Sequence, residues 1–278
     1  MKKTVNVKTV AVRFLLYVLL IGLALTYLYP LFFMVINSLK SQTEYMVDPF
    51  SMNGSQYGNY VTIFSRFRIQ TYLGNTLFVT VMKLLFALPL SICASYAFSK
   101  LRFSGARLMY PIVMIAMFIP FQVIMIPVYV MLSRMRLINT FTGLILIGVG
   151  SMLPGMILLM TGNFRGIPTE MIEAAKIDGC GYFRMVFSVV APMGMPAISI
   201  CTIMNFIGSW NDLLAPMVVL KGVNKQLIMP ALNNLVSQFS KDIPFQLTGM
   251  VFASVPAIAI YLLLQKQIIM GISSGSVK

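Results

Sequence analysis

The stretch Glu173–Pro196, EAAKIDGCGYFRMVFSVVAPMGMP, is a charged insertion in an otherwise apolar chain. Glu173, Ala174, Ala175, Lys176, Ile177 and Asp178 suit a helix, and Pro168 and Thr169 just ahead suit its start. Gly179 supplies the left-handed backbone position at which such a helix stops. Beyond it, Tyr182, Phe183, Val186, Phe187 and Val190 recur at three- and four-residue spacing, the pattern of one apolar face on a second helix. Pro192 and Pro196 are expected to close the unit by blocking continuation into the next segment. Two Ala on one turn permit a partner's backbone to approach, and Glu173 and Asp178 offer carboxylates to a partner's Arg or Lys. A helix lying on the membrane surface is the alternative. It leaves unexplained why Glu170, Glu173 and Asp178 balance Arg165, Lys176 and Arg184.

The rest of the chain is apolar enough to decide the class. Hydrophobic residues make up 58% of the 278 and charged residues only 10%. Mean hydropathy is +0.86. A soluble domain carries roughly a quarter charged residues on its surface, so this is the composition of an integral membrane protein. The 21 Lys and Arg against seven acids then fix topology at membrane edges; they are no sign of a nucleic-acid partner. Cys93, Cys180 and Cys201 are odd in number and widely separated, and there is no histidine. Neither a disulfide framework nor a metal site is inferred, and Ser–His or Cys–His catalysis is excluded.

Six apolar runs are expected to span the bilayer, at 14–36, 75–98, 108–132, 141–160, 193–220 and 247–269. The first is too long for a signal peptide and lacks a cleavage site. Lys2, Lys3, Lys8 and Arg13 precede it, and Lys100, Arg102 and Arg107 lie between the second and third runs. Both groups mark the cytoplasmic side, which puts both termini and the loop 161–192 inside. Residues 41–71 and 221–245 are outer loops, the first rich in aromatic residues. Pro111, Pro120 and Pro127 predict a kinked third helix buried among others. Gly143, Gly148, Gly150 and Gly155 predict close helix approach in the fourth. Lys83 is a basic residue inside a span, read as snorkelling or as an intersubunit pair ahead of substrate contact. Asp212, beside Trp210 and Asn211, is the acid inside a span, and it either faces the translocation path or caps or pairs within the bundle.

Glu173, Ala174, Ala175, Asp178, Gly179, Phe183, Pro192 and Pro196 resemble the EAA loop of bacterial ABC-importer permeases, with Cys180 where Ala and Ala191 where Leu is more usual. The end of the first run (Tyr29-Pro30, then Asn37–Lys40), Trp210-Asn211-Asp212 with Pro216, and the tail Gly271–Lys278 resemble the smaller membrane subunit of carbohydrate importers of the maltose-transporter type. The resemblance implies an all-α permease domain over 1–278, in the bacterial plasma membrane, with a cytoplasmic helix–Gly–helix coupling loop between its fourth and fifth helices. It implies that Glu173, Ala174, Ala175, Asp178, Gly179, Phe183, Phe187 and Pro192 couple to an ATPase dimer. It further implies that Trp210, Asn211 and Asp212 line the path of a sugar, and that Gly271, Gly275 and Lys278 either reach the ATPases or form a flexible end. A second permease subunit and an extracytoplasmic solute-binding protein complete the implied set, with ATP and magnesium held by the ATPases. The sequence itself agrees that this chain binds no nucleotide, since it lacks a phosphate-cradling Gly-x-x-x-x-Gly-Lys-Ser/Thr loop. The rival expectation is an ion-coupled secondary transporter using Asp212.

Overall fold

The computed structural model describes the backbone of residues 7–275 and the side chains of 12–263 and 265. Lys2, Lys3 and Lys278 lie outside the described residues, and Gly271 and Gly275 are described in backbone only. Every regular element described is helical: α1 Val7–Ser38, α2 Gln42–Val47, α3 Gly58–Ser65, α4 Ile69–Lys100, α5 Ala106–Ala116, α6 Phe121–Arg134 and α7 Phe141–Arg165. There follow α8 Thr169–Ile177, α9 Tyr182–Arg184, a π-helical turn Met185–Val190, α10 Ala191–Met193, α11 Met195–Trp210, α12 Leu214–Val219, a 3₁₀ turn Val223–Lys225, α13 Ile228–Gln238 and α14 Ile243–Gly275.

Four of these helices are long and apolar enough to cross a membrane, or six spans result if each of two bent pairs counts as one. The expected third span is one of those pairs. It breaks by 99° between α5 and α6, at Pro120. Pro111 and Pro127 are absorbed inside the two halves. The expectation that this span is buried fails within the chain: α5 buries no residue and α6 only Leu132. The expected fifth span is displaced. Residues 193–220 are not one helix, because α11 ends at Trp210 and the backbone breaks over 211–213 before α12. The second bent pair instead joins Tyr182–Met193 to Met195–Trp210 at 84°. The fourth span runs to Arg165, so the expected inner loop loses its first turn to α7. The helix of the sixth span continues into the tail as far as Gly275.

The chain divides into two compact units. One comprises residues up to Arg68 together with Asn234–Phe252. Here α1 is exposed at every position from 12 to 32, and only its end is fixed. Lys40 is fully buried because its Nζ donates to the carbonyls of Asp48 at 3.0 Å and Pro49 at 3.2 Å. Asn59 Nδ2 donates to the carbonyls of Ser38 and Lys40, both at 3.0 Å. Tyr60 and Phe64 meet the Phe252 ring edge-on at 5.6 and 4.8 Å. A reciprocal capping box between Ser41 and Glu44 starts α2. The Ser41 backbone N–H and then its hydroxyl hold the Glu44 carboxyl below its ordinary range.

The other unit comprises Ile69–Asn233 and Ala253 onward, and it is built on the packing of α4 against α7, with α11 against both. Val79, Leu132, Leu144, Ile145, Ala215, Val219, Leu220 and Leu227 form its apolar core. Thr76 Oγ1 accepts from the Ile228 N–H at 2.8 Å, and the hydroxyls of Thr80 and Ser209 meet at 3.2 Å. Of the four glycines expected to permit close helix approach on α7, Gly148 does so against α4, and Gly143 instead admits the turn ahead of α7. A Cβ on Gly143 would enter the Leu137 carbonyl, and one on Gly148 would enter the stem of Lys83. Gly150 and Gly155 face open space.

Candidate functional site

Two places in the second unit gather the chemistry. The first is the segment joining α7 to α11. Pro168 stands at the N-cap of α8, in extended backbone, and Glu170 and Lys176 occupy its first and last turns, where the helix dipole favours their charges. Gly179 takes φ +78°, as its place after the helix requires. The Gly179 N–H then donates to Lys176 and the Cys180 N–H to Ala175, each at 3.0 Å, the two bonds of a Schellman turn. Ile172 is the buried foot of this helix; Glu173, Ala174 and Asp178 are exposed and Ala175 is half-buried.

The second helix of the segment differs from its sequence pattern. A π-helical turn over Met185–Val190 splits the expected apolar face, burying Met185, Val186 and Val190 while turning Tyr182, Phe183 and Phe187 outward. Proline explains it. Pro192 has no N–H for the carbonyl four residues back, and a wide turn absorbs the misfit; the Ala191 N–H reaches the Val186 carbonyl, five residues back. Pro192 therefore lies inside the helical run and does not close it. The bend comes at Gly194, where a Cβ would stand 2.9 Å from Phe164 Cδ1 and closer still to Cε1. The buried Phe164 ring thus locks the end of α7 against the bend.

Lys100, read from sequence only as a topology marker, fastens the base of the segment. Its Nζ donates to the carbonyls of Arg165 at 3.2 Å and Ile167 at 2.6 Å, satisfying the end of α7. Arg165 lies over the Tyr110 ring, 5.5 Å from its centroid. What remains facing outward is apolar and acidic together: Ile177 is 87% exposed, Phe183 78% and Tyr182 69%, beside Glu170, Glu173 and Asp178. None of those three carboxylates joins an ion pair among the described residues.

The second place lies near the middle of α4. Lys83 does not snorkel: its side chain is 2% exposed, and its Nζ stands 3.6 Å from Asp212 Oδ2 in the same chain. Asp212 sits in the break after α11, and its Oδ1 accepts from the Ala215 N–H at 3.3 Å, so it both pairs and caps. The pair borders a cavity of about 480 Å³ whose polar lining includes Gln122, Ser151, Asn205 and Asn211. Trp210 is not part of that lining. It is buried, stacked on Phe206 at 5.7 Å, and donates its Nε1–H to the Ala253 carbonyl at 3.0 Å. The sequence held the signal for this pair, since Lys83 and Asp212 are opposite charges each set in an apolar run; read separately, they did not reveal each other.

A membrane chain with a broken span lining a polar cavity, and an exposed two-helix elbow at the end of another span, is the build of a transport permease. The family described as binding-protein-dependent transport system inner membrane component matches residues 87–273. The chain belongs to that family. This permease is 30% identical over 269 residues to the probable starch degradation products transport system permease protein AmyC of Thermoanaerobacterium thermosulfurigenes, covering 96% of this chain and 97% of that one. It is 29% identical to the arabinooligosaccharides transport system permease protein AraQ of Bacillus subtilis (strain 168), covering 92% of each. Its fold is that of a chain in a bacterial ABC transporter involved in the import of the acidic polysaccharide alginate, with a TM-score of 0.75 at 23% identity, covering 95% of this chain and 99% of that one. A chain of a bacterial alginate ABC transporter in complex with an alginate pentasaccharide-bound periplasmic protein gives 0.68 at 16%, covering 92% and 94%. The permease is thus a multi-pass, all-α membrane protein that serves transport and is not itself a catalyst.

Proposed function

We propose that this permease is one of two membrane subunits of an ATP-driven importer for a sugar or oligosaccharide, working by alternating access. The observation that carries the proposal is the exposed elbow of α8 and Tyr182–Met193, with its unpaired carboxylates and outward aromatic side chains. Exposed apolar residues on a segment that also exposes three acids suit a groove in a soluble partner better than lipid. The sugar class is supported by relatives named for starch degradation products, arabinooligosaccharides and diacetylchitobiose.

In this reading the elbow faces the cytoplasm, as both termini do. Glu173, Ala174, Ala175, Asp178, Gly179, Phe183 and Phe187 meet an ATPase dimer that holds ATP and magnesium. Pro192 passes the motion to the bend at Gly194. Asn211 and Asp212 face the sugar path, and Trp210 holds the break beside them in place. A solute-binding protein delivers sugar from outside, and Gly271, Gly275 and Lys278 extend towards the ATPases.

Charge reversal at an exposed position separates docking from folding. Glu173→Arg is expected to leave the permease in the membrane with its sister subunit while lowering sugar uptake and co-purification of the ATPase at least tenfold, the scale of one lost charge-assisted contact turned repulsive. Gly179→Pro, which forbids φ +78° and removes an N–H of the Schellman turn, is expected to abolish uptake. Normal uptake in both variants would overturn the coupling role. Uptake that survives ATP depletion but stops when ion gradients collapse would overturn the ATP-driven reading.

A further inference from the structure

Lys83 and Asp212 set two opposite charges inside an apolar bundle, at the border of a polar-lined cavity. A buried ion pair is at best a weak source of stability, and hydrophobic residues of equal volume serve as well. This one is also imperfect as a structural clasp. At 3.6 Å it is longer than a charge-assisted hydrogen bond, and the Lys83 ammonium has three donors to place. A Cβ on Gly148 would collide with the Lys83 stem, so the missing side chain lets that stem pass. The fold therefore goes to some length to deliver this ammonium to the cavity.

The cavity's other features point the same way. The break between α5 and α6 reaches it through Gln122 at the start of α6, and the interruption after α11 reaches it through Asn211 and Asp212. Irregular backbone at membrane depth is tolerated where it is buried in protein or lines a water-filled cavity. The lining adds the amides of Gln122 and Asn211, while Asn205 Nδ2 and the Ser151 hydroxyl donate to the carbonyls of Cys201 at 2.8 Å and Ile147 at 3.0 Å and leave their oxygens to accept. Such a surface matches a ring of hydroxyls.

We infer that Lys83 and Asp212 together form a charge-compensated subsite for the hydroxyls of an uncharged sugar, and that their neutrality as a pair selects against acidic sugars. The inference rests on the proposed import of sugars and names the class. A hydroxyl inserted in the pair accepts from Lys83 Nζ and donates to Asp212 Oδ2, satisfying both without adding charge. A uronate bound to Lys83 must displace Asp212 and set a second negative charge beside that carboxylate, a like-charge contact that costs free energy.

The test reads binding inside the permease, free of the delivery protein. Ser151→Cys is placed in the assembled transporter carrying Cys93→Ser and Cys180→Ser, and its labelling by a charged methanethiosulfonate is timed. Maltotriose, arabinotriose, diacetylchitobiose and trigalacturonate are the probes. At least one neutral sugar is expected to slow labelling, and trigalacturonate to do so only at about tenfold higher concentration, the scale of one hydrogen bond to a charged group. Adding Asp212→Asn leaves the ammonium uncompensated and is expected to reverse that preference. Should this variant fail to assemble, the doubly neutral Lys83→Met/Asp212→Asn transporter carries the test, and it is expected to lose the discrimination. Equal protection by neutral and acidic sugars in the parent, or unchanged preference in the variants, would overturn the inference. So would a lack of protection by any probe in a transporter that still imports one of the neutral sugars. Failure to import any sugar would instead overturn the proposed function on which the inference stands.

Discussion

Gly194 and Phe164 show how a single residue sets the geometry of the coupling elbow. The bend between Tyr182–Met193 and α11 exists where the Phe164 ring occupies the space a side chain at 194 would need. Gly194→Ala is expected to destabilise the assembled permease by roughly 1–3 kcal/mol, as overpacking does in a well-packed core. Phe164→Leu added to it should recover part of the loss, because the smaller side chain vacates that space. Thermal unfolding of the solubilised complex, read for both variants, measures this; equal stability of Gly194→Ala and the parent would refute the contact as the cause of the bend. Lys83 over Gly148 repeats the principle, with a long side chain admitted by a missing Cβ.

The π-helical turn is the feature that matters at the scale of elements. It lets one helix present Met185, Val186 and Val190 to the interior while Tyr182, Phe183 and Phe187 stay outside. A regular α-helix would carry these residues closer to one face. Pro192→Ala restores the missing N–H and allows a tighter turn. The outward rings then rotate relative to the buried ones, and the elbow seats less well. The expected outcome is an assembled complex whose sugar uptake per ATP hydrolysed falls about two- to tenfold, within the scale of 1.4 kcal/mol per tenfold change. Uptake and phosphate release measured together in proteoliposomes check it. An unchanged ratio would mean that the wide turn has no part in coupling.

For the whole molecule, the large exposed apolar faces of α1, α5 and α6 say that this chain does not complete its own surface. Lipid and a sister subunit are the occupants that the proposed function supplies. The elbow is different, because its exposed apolar residues share a surface with three acids. A cysteine at its most protruding residue therefore reports the partner directly. Ile177→Cys is expected to react with a membrane-impermeant thiol reagent only from the cytoplasmic side, and to crosslink to an ATPase subunit in the assembled complex. Reaction from the outer face, or crosslinks to lipid analogues alone, would end the proposal for this segment.

The chain's own residues determined much of this by local rules. Apolar length and charge bias specify a multi-span helical protein, and Pro168, Thr169 and Gly179 specify where α8 begins and ends, because caps and left-handed positions are chosen within a few residues of chain. Sequence also marked Lys83 and Asp212 as costly charges in apolar surroundings. Only tertiary structure decided that they meet, since nothing local relates residues 129 positions apart. It alone decided, too, that Lys100 fastens the end of α7, that Trp210 packs inward, and that the third span breaks at Pro120 while tolerating Pro111 and Pro127. Those outcomes depend on which neighbours supply hydrogen bonds and space, a property of the packed helices that spacing along the chain does not encode.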